Sequence, residues 1–221
     1  MMILIKKRPN GEHDMNEWEA MLGCMPGDVA NLQLPDPYLR QRYIDEQDRV
    51  YRLDHDLTEM DLELITLIIK CNKEDIGKPV EDRKPIKIYI STCGGDVVTL
   101  WSLIQAIQTS KTPVWTINFS YAYSAGAELL VAGHKRLALK GSQIMFHRGG
   151  CMYRGEQGVV ESTKKHFDGL DKKLEDFLFA HTNIDSKFYK KKASSDIYMD
   201  ENEALAKRVV DAIVEDFEEI M

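Results

Sequence analysis

The chain reads as an α/β protein built from βαβ units on a mostly parallel sheet, and three observations carry that expectation. Runs of strand length and strand character recur at P-I-K-I-Y-I (85–90), V-W-T-I-N-F (114–119) and Q-I-M-F (143–146). Between them lie stretches with a helical apolar stripe, such as V-V-T-L-W-S-L-I-Q-A-I-Q (97–108). The junctions are short and rich in small residues, as in T-C-G-G-D (92–96). Strands that alternate with helical crossovers in this way build parallel sheets.

Taken in order, residues 1–45 stand apart from the rest. They carry Pro9, Gly11, Gly23, Pro26, Gly27, Pro35 and Pro37 with no sustained period. The expectation is an irregular N-terminal extension, mobile, trimmed or ordered only in an assembly, followed by a single domain over 46–221. R-V-Y-R-L (49–53) alternates like a strand. Thr58, with Asp61 three residues on, is a capping-box start for an apolar helix running to about Asn72. After the strand at 114–119 comes the small-residue helix A-G-A-E-L-L-V-A (125–132). R-L-A-L (136–139) is a further strand. A loop with Gly149, Gly150, Gly155 and Gly158 then leads into one long amphipathic helix over about 159–181. The tail holds a short helix near E-N-E-A-L-A-K-R and a strand V-V-D-A-I-V (209–214).

A formal charge of -7 argues against a nucleic-acid binder, which needs a basic stripe to meet phosphates. Cys24, Cys71, Cys93 and Cys151 are scattered without a C-x-x-C pair, so neither a zinc site nor a disulfide framework is expected. No apolar run approaches the ~20 residues that span a bilayer. The order of charge and apolar residues in M-M-I-L-I-K-K-R is wrong for a secretory signal. The expectation is a protein of the cytoplasm or an organelle stroma, with no nucleic acid, membrane, metal or cofactor.

Ser124 follows a strand and opens a helix in S-Y-A-Y-S-A-G-A. A nucleophile suits such a turn, because its hydroxyl is exposed and free helix-start amides face a developing oxyanion. A-x-S-x-G approaches the nucleophile elbow G-x-S-x-G without its first glycine. His147 ends the strand Q-I-M-F at Arg148-Gly149-Gly150, where the backbone leaves the sheet. His13, His55, His134, His166 and His181 fit a catalytic role less well by position. An orienting carboxylate is open among Asp168, Asp171, Asp176, Asp185 and Asp196, the first three of which read as a solvated helix face. Gly94 and Gly95 allow a backbone amide to approach a substrate closely, forming an oxyanion hole with the amide of Ala125.

Together these segments resemble the proteolytic subunit of the Clp protease (the ClpP family). The features are I-K-I-Y-I before a G-G turn, S-A-G-A, I-M-F-H, H-T (181–182) and D-I-Y-M-D-E-N-E-A-L-A-K-R-V-V-D (196–211). The resemblance covers roughly residues 45–215 and keeps register. Gly94 to Ser124 is 30 residues, His147 to His181 is 34, and His147 to Asp196 is 49. It implies a ClpP/crotonase-like spiral of βαβ units with a protruding handle helix. By position it implies Ser124 as nucleophile, His147 as general base then acid, and Asp196 as the group fixing the imidazole. The amides of Gly95 and Ala125 would be the oxyanion donors.

The family's activity is ATP-dependent endoproteolysis of unfolded polypeptides in a chamber of stacked heptameric rings. The chamber is fed by an AAA+ unfoldase, which uses the ATP and docks at a cleft that includes an aromatic at the position of Tyr89. A catalytically silent ring subunit, a capsid-maturation protease of the same fold and a crotonase-like acyl-CoA enzyme are the alternatives. Four departures from the family pattern stand out. T-C-G-G replaces S-P-G-G, Ser120 and Tyr123 replace small residues before Ser124 with Tyr123 expected to narrow or crowd the pocket, Arg148 replaces a glutamine, and Arg208 replaces a glycine.

Overall fold

In the computed structural model, residues 36–148, 150, 153–192 and 195–221 are described; the side chains of 190–192 are not. The expectations for residues 1–35 and for Cys24 and Cys151 lie outside the described residues. The chain divides into units of residues 1–44 and 45–221. The described end of the first unit begins helix α1 (Pro37–Gln47), where composition reads as irregular. The local reason is Asp36-Pro37. The Asp36 carboxylate accepts from the Tyr38 amide at 2.8 Å, and proline is pre-set for the first helical position.

The second unit holds a seven-stranded sheet among the described residues. Its elements are β1 (Val50–Leu53), α2 (Glu63–Glu74), β2 (Ile86–Thr92), α3 (Val97–Thr109), β3 (Val114–Tyr123), α4 (Ala125–Val131) and β4 (Lys135–Leu139). There follow β5 (Gln143–Phe146), α5 (Gln157–His181), α6 (Ser186–Lys192), β6 (Ile197–Asp200), α7 (Glu201–Ala206) and β7 (Ala212–Val214). Strand order is β1-β2-β3-β4-β7, all parallel, with β5 branching from β3 and β6 antiparallel on β5. The capping box at Thr58 is present but caps a short 3-10 turn (Glu59–Leu62) that runs into α2. The strand expected over 209–214 is confined to Ala212–Val214.

Alternation sorts the strands into two faces. Ile86, Ile88 and Ile90 of β2 are fully buried with α2, α3 and α4 in the main core. On the opposite face Tyr89, Trp115, Ile117, Phe119, Leu137 and Val214 form a smaller cluster under the C-terminal turn. Tyr89 and Phe119 have ring centroids 4.6 Å apart, and Phe119 stacks on Phe217 at 6.2 Å. Along α5, Leu170, Leu174 and Leu178 are buried while most of the first half is exposed, giving the protruding helix that was expected. Among the described residues no helix is long and apolar enough to cross a membrane.

The position with Arg208 in place of glycine keeps its turn. Helix α7 ends with the Val209 amide donating to the Ala204 carbonyl (2.8 Å) and the Arg208 amide to the Leu205 carbonyl (3.0 Å). This is the double bond pattern that places a left-handed residue just past a helix. Arg208 fills it at φ 53. An L side chain there costs about 1–2 kcal/mol that glycine avoids. Arg208→Gly is therefore expected to raise stability by about 1 kcal/mol, because glycine's looser unfolded chain offsets part of the relief. Lys207→Gly, at φ -88, is expected to lower it. Thermal unfolding of the pair checks both signs.

Candidate active site

The site gathers where four strands end. Strand β3 pairs along β2, but its first half lies beside β4 (Trp115–Asn118) and its second half beside β5 (Tyr121–Tyr123). Register against β2 shifts between Ile90 and Thr92, where β3 changes neighbours. Buried Asn118 marks the branch, its amide donating to the Gln143 carbonyl at 2.9 Å. Because β3 and β5 run parallel, Ser124 leaves the sheet beside Met145, whose carbonyl accepts from the Ser124 amide at 2.8 Å. One residue past β5 is His147. Strand β6 pairs Phe146 with Ile197, so Asp196 stands opposite His147.

Ser124 has φ 53 and ψ -123, a conformation strained for a residue with a side chain. His147 Nε2 lies 2.7 Å from Ser124 Oγ. On the other side of the ring, Nδ1 lies 3.7 Å from Asp196 Oδ1, and the Asp196 side chain is 47% exposed. That is ion-pair range and beyond a hydrogen bond. The other carboxylate oxygen of Asp196 accepts from the Tyr198 hydroxyl at 3.4 Å.

The remaining described histidines lie elsewhere, His166 among them with its ring edge-on to Phe167 at 5.5 Å. His134 Nδ1 accepts from the Val114 amide at 3.0 Å, His55 Nε2 pairs with Asp61, and His181 Nδ1 meets the Phe177 carbonyl. Burial lowers the His134 pKa. Asp185 caps the start of α6, its side chain accepting from the Lys187 amide at 3.0 Å.

The two glycines have a structural reason that their spacing does not convey. Gly94 (φ 115) lies so close to the serine turn that an added Cβ would sit 2.8 Å from Ser124 Cβ and 3.1 Å from the Ala125 nitrogen. At Gly95 (φ 143) it would fall within the Leu57 backbone. Leu57 is hydrogen-bonded on both sides, its amide to the Gly94 carbonyl (2.6 Å) and its carbonyl to the Asp96 amide (2.9 Å). Thr92 completes the brace, its hydroxyl accepting from the Gly94 amide (3.1 Å) and donating to the His55 carbonyl (2.6 Å). These bonds hold the turn without a proline, and Cys93 is exposed on it. Ala125 opens α4, where an amide has no intrahelical acceptor.

Tyr123 does not line the pocket as expected. Its ring packs edge-on to Tyr198 (5.8 Å) and beside Tyr121 (5.4 Å), and its hydroxyl donates to Gln143. Strand alternation puts Tyr123 on the same face of β3 as Tyr121. The pocket around Ser124 and His147 is walled instead by Val97, Leu174, Tyr189 and four charged residues: Glu128, Arg148, Asp171 and Glu175. Glu128 went unnoticed in the sequence. Its signal is a lone acid in the otherwise apolar helix A-G-A-E-L-L-V-A. Asp171 reads as solvated helix face, and the structure turns it into the pocket wall.

Gly94→Ala is expected to shift the serine turn and slow reaction of Ser124 with a phosphonylating reagent by roughly a hundredfold, since catalytic geometry tolerates little displacement. Intact-mass kinetics of adduct formation measure this.

Comparison with known proteins agrees with the mostly parallel α/β sheet. The sequence profile described as Clp protease matches residues 78–217. The chain is 32% identical over 132 residues to the ATP-dependent Clp protease proteolytic subunit of Deinococcus radiodurans, covering 59% of this chain and 65% of that protein, just under two thirds of its length. It is 33% identical over 136 residues to the ATP-dependent Clp protease proteolytic subunit 2 of Bacillus licheniformis, covering 61% and 72%. The corresponding subunit 2 of Treponema pallidum is 27% identical over 134 residues, covering 60% and 67%. With more than half of its length matched by the profile, the chain belongs to the Clp protease family.

Proposed function

We propose that the chain is a serine endopeptidase acting through Ser124, His147 and Asp196. The observation that carries this is the 2.7 Å contact between Ser124 Oγ and His147 Nε2 on a strained strand-to-helix turn. His147 takes the hydroxyl proton as Oγ attacks the peptide carbonyl. The amides of Gly95 and Ala125 receive the oxyanion, and the C–N bond breaks as His147 protonates the leaving amine. Water, deprotonated by His147, then attacks the ester carbon, and the serine leaves with the proton. Asp196 balances the imidazolium; drawing in from 3.7 Å as substrate binds is the ordinary behaviour of such contacts.

The words ATP-dependent and proteolytic subunit in the names of the relatives support a wider reading in which this chain assembles with copies of itself and works with an ATPase. Stacked heptameric rings fed unfolded polypeptide by an AAA+ unfoldase are our form of that reading. The aromatic face of Tyr89, Phe119 and Phe217 is the surface on which such a partner would dock. A second reading, a ring subunit without activity, draws on the exposed and distant Asp196.

A fluorophosphonate reagent is expected to add to Ser124, and Ser124→Ala to abolish the adduct, as read by intact mass and peptide mapping. Addition at another residue overturns the assignment; no addition and no peptide turnover favours the inactive subunit. Native mass spectrometry is expected to give seven or fourteen copies of the 25.4 kDa chain. A monomer mass removes the chamber.

A further inference from the structure

The pocket beside Ser124 is acidic in a way that neither the serine chemistry nor the fold requires. Glu128 stands one helical turn beyond Ser124 on α4, and Asp171 and Glu175 stand one turn apart on α5. Glu175, 20% exposed, is 3.5 Å from the Arg148 guanidinium, which is itself 62% exposed. Glu128 and Asp171 make no hydrogen bond or close ion pair among the described residues. Glu128 thus faces the pocket with no cation beside it, Asp171 feels Arg148 at a distance, and Glu175 is paired with it.

Such an arrangement carries an electrostatic cost. Burial pushes the Glu128 carboxyl up to about 8, and the negative charges of Asp171 and Glu175 add to the effect. Burial raises Asp171 as well, with Arg148 opposing it. A half-buried carboxyl desolvated beside like charges gains its charged form when a cation binds it. The walls specify what kind of cation. Val97 and Leu174 are apolar and suit a methylene stem, and the acids of the same wall suit a charged head. Among the described residues no group of three His, Cys, Asp or Glu is placed to hold a metal ion.

Resting on the reading of Ser124 as the nucleophile, we propose that this pocket receives the substrate side chain on the acyl side of the scissile bond and selects lysine or arginine there, with Glu128 as the specificity-determining residue. The pocket is contiguous with both Ser124 and His147, so the side chain it accepts belongs to the residue whose carbonyl is attacked. Leucine or phenylalanine in the same position would leave Glu128 and Asp171 buried without a partner, a penalty typical of unmet polar groups.

The test uses peptidyl diphenyl phosphonates that differ only in that side chain, aminobutyl or guanidinopropyl against isobutyl or benzyl. The phosphorus–Oγ bond forms as phenoxide leaves, and the serine proton passes to His147. In the wild-type protein the cationic reagents are expected to label Ser124 roughly ten to a hundred times faster than the apolar ones. Glu128→Leu is expected to reverse the order, and Glu128→Gln to shrink the ratio. The wild-type ratio is expected to rise from about pH 6 to pH 9 as Glu128 loses its proton. Asp171, Glu175, Arg148, Tyr189 and His147 face the same pocket, and His147 acts on both reagents and cancels in the ratio. Labelling of Ser124 by a plain fluorophosphonate, combined with equal or faster reaction of the apolar phosphonates, overturns the specificity alone. Failure of the fluorophosphonate to reach Ser124 overturns the nucleophile and the specificity together.

Discussion

The structure depends on one strand having more neighbours than a straight ribbon can serve. Strand β3 must pair with β2 along its length, with β4 at its start and with β5 at its end. A flat strand cannot do this. The register shift against β2 gives the local twist that lets it change partner, and Asn118 ties the branch to β5 through a buried hydrogen bond. The branch sets Ser124 beside the end of β5, and the antiparallel β6 brings Asp196 level with His147. Residues 23 and 49 positions from His147 in sequence thus meet within a few ångströms.

The turn around Ser124 is held against strain from several directions. A positive φ at a serine persists only where surrounding bonds over-determine it. Here the Ser124 amide is tied to Met145, Gly94 packs on its Cβ, and the Gly94 turn is tied to Leu57 and Thr92. Farther off, the Asp75 carboxylate, fully buried, accepts from Arg49, Lys78 and Thr112. The Arg49 guanidinium beside it holds its pKa well below the usual carboxylate range. This pins the end of α2 to the loops that enter β1 and β3. The rigidity of the site's strands is therefore anchored at their opposite ends.

The pocket distinguishes machinery from preference. Ser124 and His147 are positioned by backbone register and by the braced turn of Gly94, Leu57 and Thr92. The wall is set by side chains from α4 and α5, and there the acids make a particular environment. The departures from the family pattern divide along the same line. Arg208 and T-C-G-G alter residues whose backbone roles are kept by hydrogen bonds, and Arg148 pairs with a pocket acid.

The sequence by itself determined the alternation of strand and helix, the long amphipathic helix and the candidates Ser124 and His147. Those features are local: periods of two and 3.6, small residues at turns, and a histidine at a strand end. Helix α1 was not read from the sequence, because the prolines and glycines before it give residues 1–45 no sustained period. Only the tertiary structure decided the branching of β3, the company of Gly94 and the direction of Tyr123. It also chose which helix acids face the pocket. Asp171 and Asp168 are equally acidic in sequence, but a helix packed through Leu170, Leu174 and Leu178 turns its residues inward or outward by rotation, and that rotation exists only once the helix meets the sheet.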